Sequence, residues 1–91
     1  MPDRLVFITG ASSGIGQALA LRFYAAGYRL ALVARRSDEC ERWAAGAGID
    51  VTRFAVYTAD VRDVDAIVAA GQACFEAQGL PDVVIDRKSV V

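Results

Sequence analysis

The chain is poor in the features that define several functional classes. No apolar run approaches the roughly 20 residues that a membrane-spanning helix needs. Its start, Met1-Pro2-Asp3-Arg4, runs straight into an apolar strand, so no secretory leader is expected. Cysteine is scarce. Cys40 and Cys74 lie too far apart to form a metal or redox motif. No metal site is therefore expected, and both read as reduced thiols on helix faces of a cytoplasmic protein. Basic charge is not in excess: a net charge of −1 and a pI near 5.2 leave no footprint for a nucleic acid. Internal repeats and low-complexity linkers are absent. Lysine occurs once, as Lys88, and every earlier basic residue is arginine.

What remains is an apolar, glycine-punctuated chain of 91 residues, at most one domain. A chain of this size buries only about 60–65% of its unfolded surface. Its hydrophobic content of 55% is high for that size and predicts strands covered on both faces, as in a parallel sheet. The most informative stretch is Thr9-Gly10-Ala11-Ser12-Ser13-Gly14-Ile15-Gly16. It follows the apolar run Leu5-Val6-Phe7-Ile8 and precedes a helix-like run. Glycine permits positive φ and lets a ligand approach the backbone. A helix start adds unpaired N–H groups and the positive end of the helix dipole. The hydroxyls of Thr9, Ser12 and Ser13 suit phosphate or ribose oxygens. A strand–turn–helix of this kind points to a dinucleotide cofactor.

The periodicity alternates along the chain. Strands are predicted over residues 4–8, 29–34, 51–58 and from 82. Helices are predicted over 14–26, 38–45 and 63–78. Ile15, Leu19, Phe23 and Ala26 share a face of the first helix. Ile67, Ala70, Cys74 and Ala77 form a stripe on the third. Cys40, Trp43, Ala44 and Ala47 share a face of the second, where Trp43 reads as packing, with base stacking the minor alternative. Gly27 closes the first helix, Gly46 and Gly48 break the second, and Gly79 with Pro81 stops the third. Asp38 and Glu41 are spaced like a capping box. The order βαβαβαβ predicts an α/β fold, a Rossmann-type parallel sheet, incomplete, with strand order 3-2-1-4 and helices on both faces. Its crevice would lie at the carboxyl ends of strands 1 and 4.

Thr9 to Gly16 together with Asp60-Val61 after strand 3 resemble the short-chain dehydrogenase/reductase family, and Asp82-Val83-Val84-Ile85 is similar to that family's fourth strand. The resemblance covers residues 4–85. It implies an oxidoreductase that moves a hydride between a nicotinamide cofactor and a carbonyl or alcohol, in a homo-oligomeric parent. It also implies that the glycine turn holds the pyrophosphate and adenosine ribose, that Asp60 binds the adenine amino group and that Val61 contacts the ring. Read by itself, Asp60 is a strand-end or helix-capping residue. The spacing Gly10-x-x-x-Gly14-x-Gly16 disfavours the alternative of a sugar-nucleotide epimerase.

The end of strand 2 bears on the cofactor. A free 2′-hydroxyl is met by a carboxylate there and a 2′-phosphate by arginine. The chain reads Val33-Ala34-Arg35-Arg36. Ala34 stands where NAD-preferring members carry an acid, and Arg35 and Arg36 follow, each able to grip a phosphate in a charge-assisted pair. NADP is therefore the expected cofactor; the alternative leaves both arginines as solvated loop residues. Asp38 is a rival acid, but its place fits a helix cap.

The family's catalysis requires a tyrosine with a lysine four residues later, since a neighbouring ammonium favours the phenolate. Four residues after Tyr24, Tyr28 and Tyr57 stand Tyr28, Leu32 and Val61, and the Asn-Asn-Ala-Gly run expected after strand 4 is replaced by Asp86-Arg87-Lys88-Ser89. No catalytic residue is assigned; Tyr24 and Tyr28 read as packing or helix-end residues. The chain is expected to be the cofactor-binding half-domain of such an enzyme, inactive by itself, or else a purely nucleotide-binding fragment. Residues 86–91 are expected to be foreign: the composition shifts there, and one set of codons for them resembles a sequencing-library adapter. The alternative is a natural polar terminus. With no fifth strand beside strand 4, an apolar sheet edge and poor solubility are expected.

Overall fold

The computed structural model describes residues 4–11 and 13–85. Ser12 and residues 86–91 lie outside that range, and with them the expectations of a ligand-facing hydroxyl and of a foreign tail. The described elements are β1 (Leu5–Thr9), α1 (Gly14–Ala25), β2 (Arg29–Ala34), α2 (Ser37–Gly46), a short 3₁₀ turn (Val51–Arg53), β3 (Phe54–Thr58), α3 (Val64–Ala77) and β4 (Val83–Ile85). The strands form one sheet in the order β3-β2-β1-β4. Every pairing is parallel, with Leu5 opposite Arg29, Val6 opposite Val83 and Leu30 opposite Phe54. This is the Rossmann-like arrangement expected from the alternating pattern.

Two cores sandwich the sheet because successive strand residues point to opposite faces. On one face Val6, Ile8, Leu30 and Leu32 pack with Ala20 of α1 and Cys40 and Ala44 of α2. On the other, Leu5, Phe7, Ala31 and Val33 pack with Ala70 and Cys74 of α3. β1 and β2 are therefore buried on both sides, as the apolar composition predicted. β3 and β4 are only half covered, and Val84 on β4 is 62% exposed. Among the described residues no helix is long and apolar enough to cross a membrane.

The structure corrects several local expectations. β3 begins at Phe54, because the Asp50 carboxylate accepts from both Thr52 N and Thr52 Oγ1 and folds residues 51–53 into a turn first. Asp38 is not a cap. α2 starts at Ser37, Arg36 occupies the cap position without a side-chain capping bond, and Asp38 pairs with Arg42 at 3.6 Å on an exposed face. The inner face of α1 is Gly16 and Ala20, with Leu19 and Phe23 at its margin; Ile15 and Ala26 are exposed. Small residues let the helix backbone approach the sheet, and this turns the larger ones outward. Ala47 and Ala77 likewise lie exposed at the ends of their stripes, while Trp43 packs half-buried against the first core.

The tyrosines serve the fold. Tyr24 Oη accepts from Asp50 N at 3.1 Å, and the Tyr28 ring stands edge-on to Phe23. Tyr57 Oη donates to Gln78 Oε1 at 2.8 Å, and burial pushes its phenol up to about 12. Gly27 and Gly79, with φ of +92° and +107°, close α1 and α3 in the left-handed conformation that glycine tolerates. Burial raises both thiols, that of Cys40 to about 11, so neither is a nucleophile at neutral pH.

Candidate functional site

The carboxyl ends of three strands converge. β1 runs into Gly10, whose φ of +67° turns the chain sharply. Ala11 N donates to the Val33 carbonyl at 3.0 Å, and Ala59 N donates to the Ala34 carbonyl at 3.1 Å. These two bonds pin the exits of β1 and β3 to β2. Between them opens a cleft of about 330 Å³. Its floor is Gly10, Ala34 and Ala59, and its rim is Arg35, Asp60, Val61 and Arg62. The cleft thus lies over β1, β2 and β3; the expectation of a crevice over β1 and β4 reaches outside the described residues.

The start of α1 sits beside this floor. Ser13 caps the helix: its Oγ accepts from Gly16 N at 3.0 Å and donates to the Gly10 carbonyl at 2.9 Å. The amides of Gly14 and Ile15, in the first turn, have no acceptor within the helix, and the dipole makes that end positive. The glycines of this turn divide by cause. A Cβ on Gly16 would lie well inside 3.0 Å of the Gly10 carbonyl oxygen, so packing forbids it. A Cβ on Gly14 would meet none of the described residues within 4 Å. Packing against the described residues therefore does not account for glycine at 14.

The sequence-derived candidates separate in space. Gly10, Arg35, Asp60 and Val61 line the cleft, and Gly14, Ile15 and Gly16 form the adjoining helix start. Thr9 is buried, with its Oγ1 donating to the Ile85 carbonyl at 3.4 Å. Ser13 gives its proton to Gly10. These two hydroxyls serve the scaffold, contrary to the expectation that they face a phosphate. Arg36 points away, onto Glu39 at 3.4 Å, so the structure parts it from Arg35. Asp60 is not the helix cap either: α3 is capped by Asp63, whose Oδ1 accepts from Ala66 N at 3.2 Å.

Asp60 is instead gripped by Arg62, a residue the sequence reading passed over. Arg62 N and Nε donate to Asp60 Oδ1 at 2.9 and 3.2 Å, and Nη2 donates to Oδ2 at 3.0 Å. These bonds, with a smaller contribution from Arg35, hold the Asp60 carboxyl down at about 2. An exposed arginine two residues after an acid carries no sequence signal beyond its charge; only the turn at residues 60–63, closed by Asp63 N on the Asp60 carbonyl at 2.9 Å, brings them together. Chemically the cleft offers a glycine floor, one acceptor carboxylate and two guanidiniums.

A parallel sheet of order 3-2-1-4 with a glycine turn under such a cleft defines a Rossmann-like nucleotide-binding fold. Comparison with known proteins makes the class specific. The model of the short chain dehydrogenase family matches residues 4–87, and the chain belongs to that family of oxidoreductases. It is 34% identical over 92 aligned residues to a dehydrogenase/reductase SDR family protein 7-like of Anopheles gambiae, covering 96% of this chain and 29% of that protein. A short-chain dehydrogenase/reductase from Brucella melitensis superposes with a TM-score of 0.87 at 28% identity, over 97% of this chain and 37% of the other. An alcohol dehydrogenase from Thermococcus sibiricus, solved with 5-hydroxy-NADP, superposes with a TM-score of 0.81 at 32% identity, over 91% of this chain and 36% of the other. The chain thus spans about a third of the length of these relatives.

Proposed function

We propose that this chain is the cofactor-holding part of an NADP-dependent oxidoreductase, and that its cleft takes the adenosine end of NADP. The carrying observation is the rim at the end of β2: Ala34 and Arg35 line the cleft, and no carboxylate stands there. A guanidinium matches a phosphate through parallel, charge-assisted bonds, whereas a free ribose hydroxyl gains from an acid that is missing. Asp60 accepts from the adenine amino group, Val61 packs on the ring, and the amides at Gly14 and Ile15 receive the pyrophosphate. The relative solved with an NADP derivative supports the same choice. The bound cofactor supplies a hydride that a carbonyl substrate accepts, in a cytoplasmic, homo-oligomeric parent. The residues of this chain bind and orient the cofactor. Its three tyrosines lack a lysine four residues on, so the chain by itself turns nothing over.

Titration calorimetry of the chain with NADP and NAD tests this reading. One charge-assisted phosphate contact contributes about 1.5–3 kcal/mol, so NADP binds about ten- to a hundredfold more tightly. Arg35→Ala removes that margin. Equal affinities in the unaltered chain, or an NADP preference that survives Arg35→Ala, refute the assignment.

A further inference from the structure

Among the described residues three charged side chains line the cleft: Arg35, Asp60 and Arg62. Their formal charges sum to +1, and Arg62 decides that sign. Without it, Asp60 cancels Arg35 and the cleft is neutral toward an incoming anion. For a neutral 2′-hydroxyl this sum is immaterial. For a 2′-phosphate, with nearly two negative charges at neutral pH, it is not. Asp60 does not shed its charge by protonation, since the same bonds from Arg62 hold it ionised far below neutrality. The Arg62 side chain is 72% exposed, so packing does not direct it toward Asp60; the fork onto both oxygens of Asp60 does.

We propose that Arg62 is a specificity-determining residue of this cleft. By clamping Asp60 it cancels the carboxylate's charge and leaves Arg35 free to act on a phosphorylated ribose. This inference rests on the reading of the cleft as an NADP site. The clamp is compatible with recognition of adenine. Asp60 Oδ1 accepts two bonds from Arg62 and Oδ2 accepts one, so a lone pair on Oδ2 stays open for an amino group. Arg62 acts through Asp60 and is in that sense a positioning residue. Lysine in its place would keep the charge but lose the fork.

The test compares adenosine 2′,5′-bisphosphate with adenosine 5′-phosphate, two probes that differ only in the 2′-phosphate. Calorimetric Kd values are measured at low ionic strength for the unaltered chain, Arg62→Met, Arg62→Lys and the pair Asp60→Asn with Arg62→Met. The ratio of the two Kd values cancels any shared change in adenine binding. Arg62→Met is expected to lower the preference for the bisphosphate about fivefold, the size of losing one compensating charge a few ångströms from a phosphate in a largely solvated cleft. Arg62→Lys retains part of the preference. The double variant returns the cleft to +1 and restores it, which a merely structural role for Arg62 would not do. A preference unchanged in Arg62→Met overturns this inference and leaves the NADP reading standing. Failure of the double variant to restore the preference also overturns it, since Arg62 would then act on the ligand directly. An unaltered chain with no preference, or with no binding of either probe, overturns both.

Discussion

Substituting alanine at Gly14 and at Gly16 gives opposite results, although the two glycines lie in one motif. At Gly16 the new methyl would sit against the Gly10 carbonyl oxygen and 3.0 Å from Ala11 Cα. Both neighbours are backbone, pinned by the Ser13 cap and by the Ala11 bond to Val33, so neither can swing aside. Overpacking of this kind costs about 1–3 kcal/mol, and rigid neighbours put it at the upper end. The gain in helix propensity from alanine offsets about 1 kcal/mol of that. Gly16→Ala therefore destabilises by about 1–2 kcal/mol, net of those two terms. At Gly14 the methyl meets none of the described residues, so only the propensity gain remains and stability is unchanged or up to about 1 kcal/mol higher. The two variants should differ by about 10 °C in melting temperature for a domain of this size. A urea titration followed by fluorescence of Trp43, half-buried on the first core, reads the same difference. NADP affinity should fall in Gly14→Ala despite its intact fold, because the proposed pyrophosphate site lies at that backbone. Equal midpoints, or a Gly14→Ala chain as destabilised as Gly16→Ala, would refute the division of roles.

Further outcomes follow from single contacts. Asp82 Oδ2 accepts from Leu5 N, and Asp82 N donates to the Leu5 carbonyl, both at 2.8 Å. Asp82→Ala leaves the buried Leu5 N–H unpaired and should cost about 1–3 kcal/mol in denaturant titration, with hydrogen exchange at Leu5 speeding up. Tyr57→Phe should cost about 1 kcal/mol through the lost bond to Gln78. Because the folded phenol is raised to about 12, its contribution is complete below the ordinary tyrosine range near 10 and is lost as pH rises through 12; a spectrophotometric titration reads that midpoint. The Asp60 carboxyl, depressed to about 2 by Arg62, contributes fully above the ordinary 3.8 and loses its contribution as pH falls through 2. Carboxyl NMR should place its midpoint there and return it toward 3.8 in Arg62→Met. Cys40 and Cys74, both buried, should react with a disulfide reagent only slowly in the folded chain and rapidly in urea.

The sequence by itself determined the layers. Continuous apolar runs in β1 and β2 admit only a sheet covered on both faces, and helices between strands require parallel crossovers, which leave a few strand orders, β3-β2-β1-β4 among them. It also marked the glycine turn, because no other residue type takes φ of +67° at Gly10 so readily. Side-chain direction was not legible. Hydrophobic spacing placed Ile15 inward, but the close seat of Gly16 and Ala20 on the sheet turned it out, 59% exposed. Two adjacent arginines looked equivalent until the start of α2 gave Arg36 a partner in Glu39 and left Arg35 on the cleft. The hydroxyls of Thr9 and Ser13 looked like ligand donors until Ile85 and Gly10 took their protons. Above all, only the tertiary structure joined Arg62 to Asp60 at the mouth of the cleft. Periodicity reports which residues are apolar over a whole element. The partner of a polar group is set by a few ångströms of loop geometry, and that exists only once the strands on either side have docked.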